Sequence, residues 1–161
     1  MVEKKMLDAL AEQLVSKHQT VAVAESVTAG LLMTTLSRAE KATQFLQGGV
    51  VAYNLGQKAR HLSVNPIHAD AANCVSAEVS EQMAQGVAQT FSGDWGIGIT
   101  GYAVPVPALH ITTCFAFYAI VLHGNVIKIG RIESTKDGQG AVQEDFVKLL
   151  VAGFLDTLRS R

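Results

Sequence analysis

With 161 residues, 48% of them apolar, the chain can bury one sizeable core but not the cores of two ordinary domains, so a single domain over residues 1–161 is expected. Thirteen Lys and Arg stand against fourteen Asp and Glu, and the basic residues are scattered, with no run arranged to neutralise a nucleic-acid backbone. The beginning, M-V-E-K-K-M-L-D-A-L, has no uninterrupted apolar core, and no apolar run reaches the thickness of a bilayer. A cytoplasmic protein that binds neither nucleic acid nor membrane is expected.

Apolar residues at Met6, Leu7, Leu10, Leu14 and Val15 are spaced as one face of a helix ending near His18. Val21 to Ala24 reads as a buried strand, followed by a turn at Glu25 and Ser26 and a helix from Thr28 to about Arg38. Gly49 to Tyr53 is a second strand and Leu55 to Leu62 a short helix. Asn65-Pro66 marks a loop, and Ser76 caps a helix that carries Glu78 in its first turn and Val79, Met83, Val87 and Phe91 on one stripe. Trp95 to Thr100 is a third strand. Beyond a Pro-containing loop at Val104 to Pro107, Thr112 to Leu122 and Val126 to Ile132 are strands joined at His123-Gly124-Asn125, a hairpin signal. Val142, Phe146, Leu149, Leu150, Phe154 and Leu158 define a closing amphipathic helix. Helices alternating with strands, and a hairpin late in the chain, predict an α/β fold: a three-layer α/β/α sandwich whose sheet is mixed and mostly parallel.

The stretch from Val21 to Gly30, V-A-V-A-E-S-V-T-A-G, runs a strand into a hydroxyl-rich turn that opens a helix. Backbone N–H groups at such a place stabilise an anion or a developing oxyanion. Ser26 is a candidate nucleophile. Lys58 is a candidate base if burial leaves part of its amine neutral, and Tyr53 could relay the proton or hold the hydroxyl. Each residue has a plainer reading: Ser26 or Thr28 as a helix cap, Tyr53 as packing, Lys58 as a solvated helix residue. Glu25 could accept from amides at the helix start, and Thr100 could contact a ligand or close a turn with Gly101. Cys74 and Cys114 lack CxxC spacing and read as reduced thiols. The five histidines form no i, i+4 pair, so no metal is expected; His110 alone falls near the ligand side of the third strand. No phosphate-loop or dinucleotide glycine motif occurs, and no cofactor is expected.

Four segments together carry a resemblance: A-E-S-x-T-x-G at Ala24 to Gly30, G-x-V-x-Y-x-x-x-x-K at Gly49 to Lys58, C-V-S-A-E-V-S at Cys74 to Ser80 and G-I-T-G at Gly98 to Gly101. In this order they resemble the CinA C-terminal domain family, from about Leu7 to about Leu158. The resemblance implies an amidohydrolase like those that convert nicotinamide mononucleotide to nicotinate mononucleotide and ammonia. It places the family's serine, tyrosine and lysine at Ser26, Tyr53 and Lys58, puts Glu25, Thr28, Gly30, Thr100 and Gly101 on the substrate side, and implies a homodimer or higher homo-oligomer.

The same resemblance exposes departures. The family's glycine-rich segment after the third strand is here G-Y-A-V-P-V-P-A-L-H-I-T-T-C, from Gly101 to Cys114. Its glycines after Gly101 are gone, and with them close backbone approach to a ligand. Val27 and Ala29 stand where the family has Cys and Gly. The family's phosphate-pairing arginine falls at Gln139, with Lys136 as the only nearby cation; an amide cannot make the bidentate, charge-assisted contact of a guanidinium. The expected function is a CinA-like amidohydrolase acting on nicotinamide mononucleotide or a related amide, with altered or lost phosphate binding. The alternative is an inactive paralogue serving as a binding or regulatory, self-associating domain.

Overall fold

A strict two-residue alternation in the strands sets the architecture, described here for residues 1–161 from a computed structural model. The strands are β1 (Val21–Glu25), β2 (Leu46–Val51), β3 (Trp95–Tyr102), β4 (Cys114–Leu122) and β5 (Asn125–Ser134). The helices are α1 (Lys4–Ser16), α2 (Leu31–Leu36), α3 (Ala42–Phe45), α4 (Leu55–Leu62), α5 (Pro66–Ala71), α6 (Ala77–Thr90) and α7 (Gln139–Arg159). The sheet order is β2-β1-β3-β4-β5. β1 pairs parallel with β2 and β3, and β4 pairs antiparallel with β3 and β5. Four strands therefore run one way and β4 runs against them, the mixed sheet expected.

Large residues point to one face. Val21, Val23, Trp95, Ile97, Ile99, Ala116, Tyr118 and Ile120 pack with Leu7, Leu10 and Leu14 of α1 and Phe146, Leu150 and Phe154 of α7. Each large aliphatic or aromatic side chain buried there contributes about 1.5–3 kcal/mol. The opposite face is small: Ala22 and Ala24 of β1 pack with α4, α5 and α6, and Gly96 and Gly98 of β3 let α6 press onto the sheet. A Cβ on Gly96 would lie 2.1 Å from the Ala84 carbonyl oxygen, and one on Gly98 would lie 2.3 Å from that of Ser80. Ala119 and Val121 of β4 meet Ala84 and Ala88 of α6, so the long apolar run of β4 is covered on both faces within one copy of the chain. No helix is long and apolar enough to cross a membrane.

The differences from the expected elements are local. The helix expected from Thr28 starts at Leu31, because Glu25 and Thr28 hold the preceding turn in a tighter arrangement. β2 begins at Leu46 and ends at Val51, short of Tyr53, and the one-turn helix α3 leads into it. Asn65-Pro66 is the start of α5 and not a loop. The Asn65 Oδ1 accepts from the amides of Ile67 and His68, and proline at the first turn forfeits no hydrogen bond. β4 starts at Cys114, two residues late; Leu149 in α7 is exposed, off the buried stripe. Ser76 caps α6 as expected, accepting from Val79 N–H. The hairpin turns through His123 and Gly124, both at positive φ, the arrangement that matches strand twist.

Candidate active site

The order β2-β1-β3 places a switch point at the carboxyl end of β1, where the chain leaves the sheet in one direction for β2 and the other neighbour is β3. Ligands in open α/β sheets bind there. A cleft of about 430 Å³ opens at that end. Ser26 and Val27 line it from β1, Tyr53, Asn54 and Lys58 from the β2–α4 connection, Thr100 to Val104 from β3 and beyond, and Gln139 from α7. Asp70, Asn73 and Cys74, on α5 and the α5–α6 link, close the remaining wall.

Ser26 is pinned between the neighbouring strands. Its N–H donates to the Ile99 carbonyl of β3 at 3.1 Å, and the Ala52 N–H beyond β2 donates to the Glu25 carbonyl at 2.9 Å. Lys58 reaches it from the first turns of α4, a helix started by Asn54, whose Oδ1 accepts from Gln57 N–H at 3.0 Å. The Lys58 side chain is fully buried, with Nζ 2.8 Å from Ser26 Oγ and 2.8 Å from the Ala52 carbonyl oxygen. No carboxylate forms an ion pair with it. Burial pushes its pKa below the ordinary 10.5, opposed by the nearby Cys74 thiol. A protonated Lys58 donates to both oxygens; a neutral one keeps the bond to Ala52 and offers its lone pair to the Ser26 hydroxyl.

Tyr53 lines the cleft but is 65% exposed and makes no side-chain hydrogen bond, so it stands apart from the Ser26–Lys58 contact. Thr100 is buried and its hydroxyl donates to the Cys74 carbonyl at 2.7 Å, tying β3 to the opposite wall. Gly101 lines the cleft and also packs on β4: an added Cβ would lie 2.3 Å from the Phe115 carbonyl oxygen.

Glu25, Thr28 and Gly30 are not among the residues lining the cleft, and Glu25 takes the place at the helix-start amides that its strand–helix junction suggested. The buried Glu25 carboxylate accepts from Thr28 Oγ1 at 2.6 Å, Gly30 N–H at 3.1 Å, Leu32 N–H at 2.9 Å and Met33 N–H at 2.7 Å. The amides at the start of α2, expected to be free for an anion, are thus satisfied by the chain's own carboxylate. Ala29 N–H is also taken, by the Ser26 carbonyl, which leaves Val27 and Thr28 N–H as the turn's unpaired donors. Ala29 projects to solvent, whereas Val27 reaches the cleft wall.

His110 lies outside the cleft, on a loop closed upon itself by the Val106 and Ile111 backbone groups. No three His, Cys, Asp or Glu residues converge as a metal would require, and both cysteines are free. Sequence reasoning did not select Asp70, Asn73 or Tyr102. Their signal lies in the backbone: Asn73 and Cys74 both adopt left-handed conformations, at φ 50° and 61°, turning the link between helices into a wall of the cleft.

An α/β domain with a buried amine bonded to a serine at its switch point is thereby defined. The CinA C-terminal domain family matches residues 3–158, and the chain belongs to that family. A CinA-like protein of Thermosynechococcus vestitus is 42% identical over 103 residues, covering 64% of this chain and 25% of its own length. One of Trichormus variabilis is 43% identical over 94 residues, covering 58% and 23%. The chain thus spans about a quarter of the length of these curated relatives. The crystal structure of a CinA superfamily protein from Klebsiella pneumoniae superposes with TM-score 0.89 at 24% identity over 98% of each chain. That of a competence or damage-inducible protein from Enterobacter asburiae gives 0.88 at 25% identity, over 98% of this chain and 99% of that one.

Proposed function

We propose that this domain is a serine–lysine amidohydrolase that removes ammonia from a small carboxamide, nicotinamide mononucleotide or a related amide. The observation that carries the reading is the 2.8 Å contact between Ser26 Oγ and the buried, unpaired Lys58 amine. A lysine is costly to bury charged, and a depressed pKa leaves a neutral fraction able to act as a base.

In the reaction, the neutral Lys58 amine takes the Ser26 proton as Oγ bonds to the amide carbon. The carbonyl oxygen becomes an oxyanion, for which Val27 N–H is the turn's free donor on the cleft wall. Lys58 then passes the proton to the departing nitrogen, the C–N bond breaks and ammonia leaves an acyl ester on Ser26. Water attacks that ester with Lys58 again as base, releasing the carboxylic acid and restoring the hydroxyl. Tyr53, exposed at the mouth, has the position of a substrate-facing ring more than of a proton relay.

The test is ammonia release from purified protein with nicotinamide mononucleotide, its unphosphorylated riboside and nicotinamide. Turnover of at least one, lost in Ser26→Ala, is expected. Absence of ammonia from all three, or an undiminished rate in Ser26→Ala, would remove the reading.

A further inference from the structure

The two edges of the sheet are finished differently. β2 is six residues long, its register with β1 shifts between Val21 and Ala22, and Gly48 takes a positive φ of 143°. Shortness and irregularity of this kind keep an edge from pairing further. β5 is ten residues long, contains no proline and has β4 as its only neighbour. Its one irregularity lies opposite Ile120 and Val121, which leaves Ile129 to Ser134 in regular register with Cys114 to Ala119. No backbone hydrogen bond other than those to β4 involves Val126 to Ser134. Such an edge presents a row of unpaired N–H and C=O groups, a template for another strand.

Apolar side chains flank this edge on both faces of the sheet. On the α6 face Ile129, opposite Ala119, is 40% exposed. On the α7 face Leu149 is 41% exposed. Its place is set by residues one turn away on either side. Asp145 accepts from the Ser134 hydroxyl at 2.7 Å, and a Cβ on Gly153 would lie 3.6 Å from the Tyr118 hydroxyl and 3.8 Å from Lys128 Nζ. Residues four apart share a helix face, so Leu149 lies beside β5 between Ser134 and Lys128, at the level of Ile132 and Gly130.

The charges on the regular half of β5 are self-complementary. Arg131 and Glu133 stand opposite Phe117 and Phe115, they pair with each other, and the Arg131 guanidinium lies 4.1 Å from the centre of the Phe115 ring. A two-fold axis through Ile132 sets each Arg131 opposite the partner's Glu133, so one operation forms two cross-strand ion pairs. An axis through Arg131 would oppose two guanidinium groups, and one through Gly130 would leave Glu133 against the partner's Ile127. On the α7 face the axis through Ile132 gathers both Ile132 and both Leu149 side chains into one apolar cluster. With 13 basic against 14 acidic residues, two copies approach without a large net repulsion.

We infer that two copies of this chain join along β5, antiparallel and about a two-fold axis through Ile132, so that their five-stranded sheets become one continuous sheet. The cleft lies at β1 and β3, away from this edge, so the inference stands apart from the amidohydrolase reading.

Sedimentation equilibrium of the purified chain at micromolar concentration tests the mass, and substitutions test the register. A dimer is expected. Arg131→Glu and Glu133→Arg should each weaken it at least about tenfold, because each breaks two symmetric pairs and sets like charges opposite one another. Combining the two changes should recover most of the loss, which a folding defect in either single variant would not do. Leu149→Glu should also weaken the dimer. Ile132→Cys places two thiols on the axis, where directly opposed residues of antiparallel strands lie about 4.5–5.5 Å apart at Cα, within disulfide reach. That variant should cross-link on oxidation while the wild type, with Cys74 and Cys114 alone, does not; the cross-link separates this register from an interface elsewhere on the surface. The mass of one chain throughout, a dimer indifferent to both charge reversals, a combined variant as weak as the single ones, or Ile132→Cys without a cross-link overturns the inference.

Discussion

The two ends of one cleft are built on different terms. The inner corner is buried and mutually satisfied: Ser26 is pinned by β3, Lys58 is enclosed, and Glu25 fixes the turn beneath them through four donors. The outer rim is exposed and unpaired, with Asp70, Gln139 and Tyr53 all facing solvent. A corner of this kind fixes chemistry, because small displacements of a nucleophile and its base are costly to rate. A rim of this kind changes easily, because its side chains support no core. On the proposed reading, the Ser26–Lys58 corner can stay fixed while rim residues change around it.

The sharpest way to break the comparison is at Lys58. Lys58→Met keeps much of the stem's bulk and removes the base, so turnover should fall on the order of 10³-fold or more, with Ser26→Ala in that background adding little. In the wild type kcat/KM should rise with pH as Lys58 loses its proton, through a pKa below 10.5. Stability carries the same signature. The unfolded chain holds the Lys58 proton up to its ordinary pKa, whereas the folded state releases it earlier. Between those two values the unfolded state therefore binds more protons, and stability rises with pH. Urea unfolding between neutral and alkaline pH should show the wild type gaining on Lys58→Met as pH climbs; parallel curves would mean that burial does not depress this amine.

Much of the inner corner was legible in the sequence. A strand followed at once by A-E-S, and a lysine five residues past Tyr53 on a helix started by asparagine, marked Ser26 and Lys58 as candidates beside plainer readings, and the family resemblance set them in one site. The roles of Glu25 and Thr28 were ambiguous because a carboxylate at a strand–helix junction can face either the ligand or the helix amides, and only the rotation of the turn decides. Asp70 and Asn73 were invisible for another reason. They enter the cleft only because α5 forms where Asn65-Pro66 reads as a loop, and because Asn73 and Cys74 take left-handed backbone angles. Within the sheet, alternation puts Val21, Val23, Ile97 and Ile99 on one side and Ala22, Ala24, Gly96 and Gly98 on the other, a division that the sequence alone had not drawn.

Glu25 separates support from chemistry within the buried end. Glu25→Ala strips the acceptor from one hydroxyl and three amides, some of them buried, and should cost about 3 kcal/mol of stability. Because the carboxylate does not line the cleft, kcat measured well below the melting temperature should fall far less than in Lys58→Met. A loss of kcat as large as that of the lysine variant, with melting unchanged, would move Glu25 into the reacting set and dissolve the division between corner and floor.

The smallest expected effect lies at Ala29, where the turn carries an avoidable strain. Ala29 sits at φ 50°, in the left-handed region, and its side chain is exposed rather than packed. An L-residue pays roughly 1–2 kcal/mol to occupy that region, which glycine enters without the clash. Glycine also gains backbone freedom in the unfolded chain, which offsets part of the relief. The net for Ala29→Gly should be a stabilisation of about 1 kcal/mol or less, visible as a small rise in the midpoint of urea unfolding with unchanged slope. Because Ala29 lies outside the cleft, kcat should not move. A clear change in kcat would show that the turn's shape reaches the Ser26–Lys58 corner through the backbone, so that the exposed side of the turn and the buried corner are not set independently.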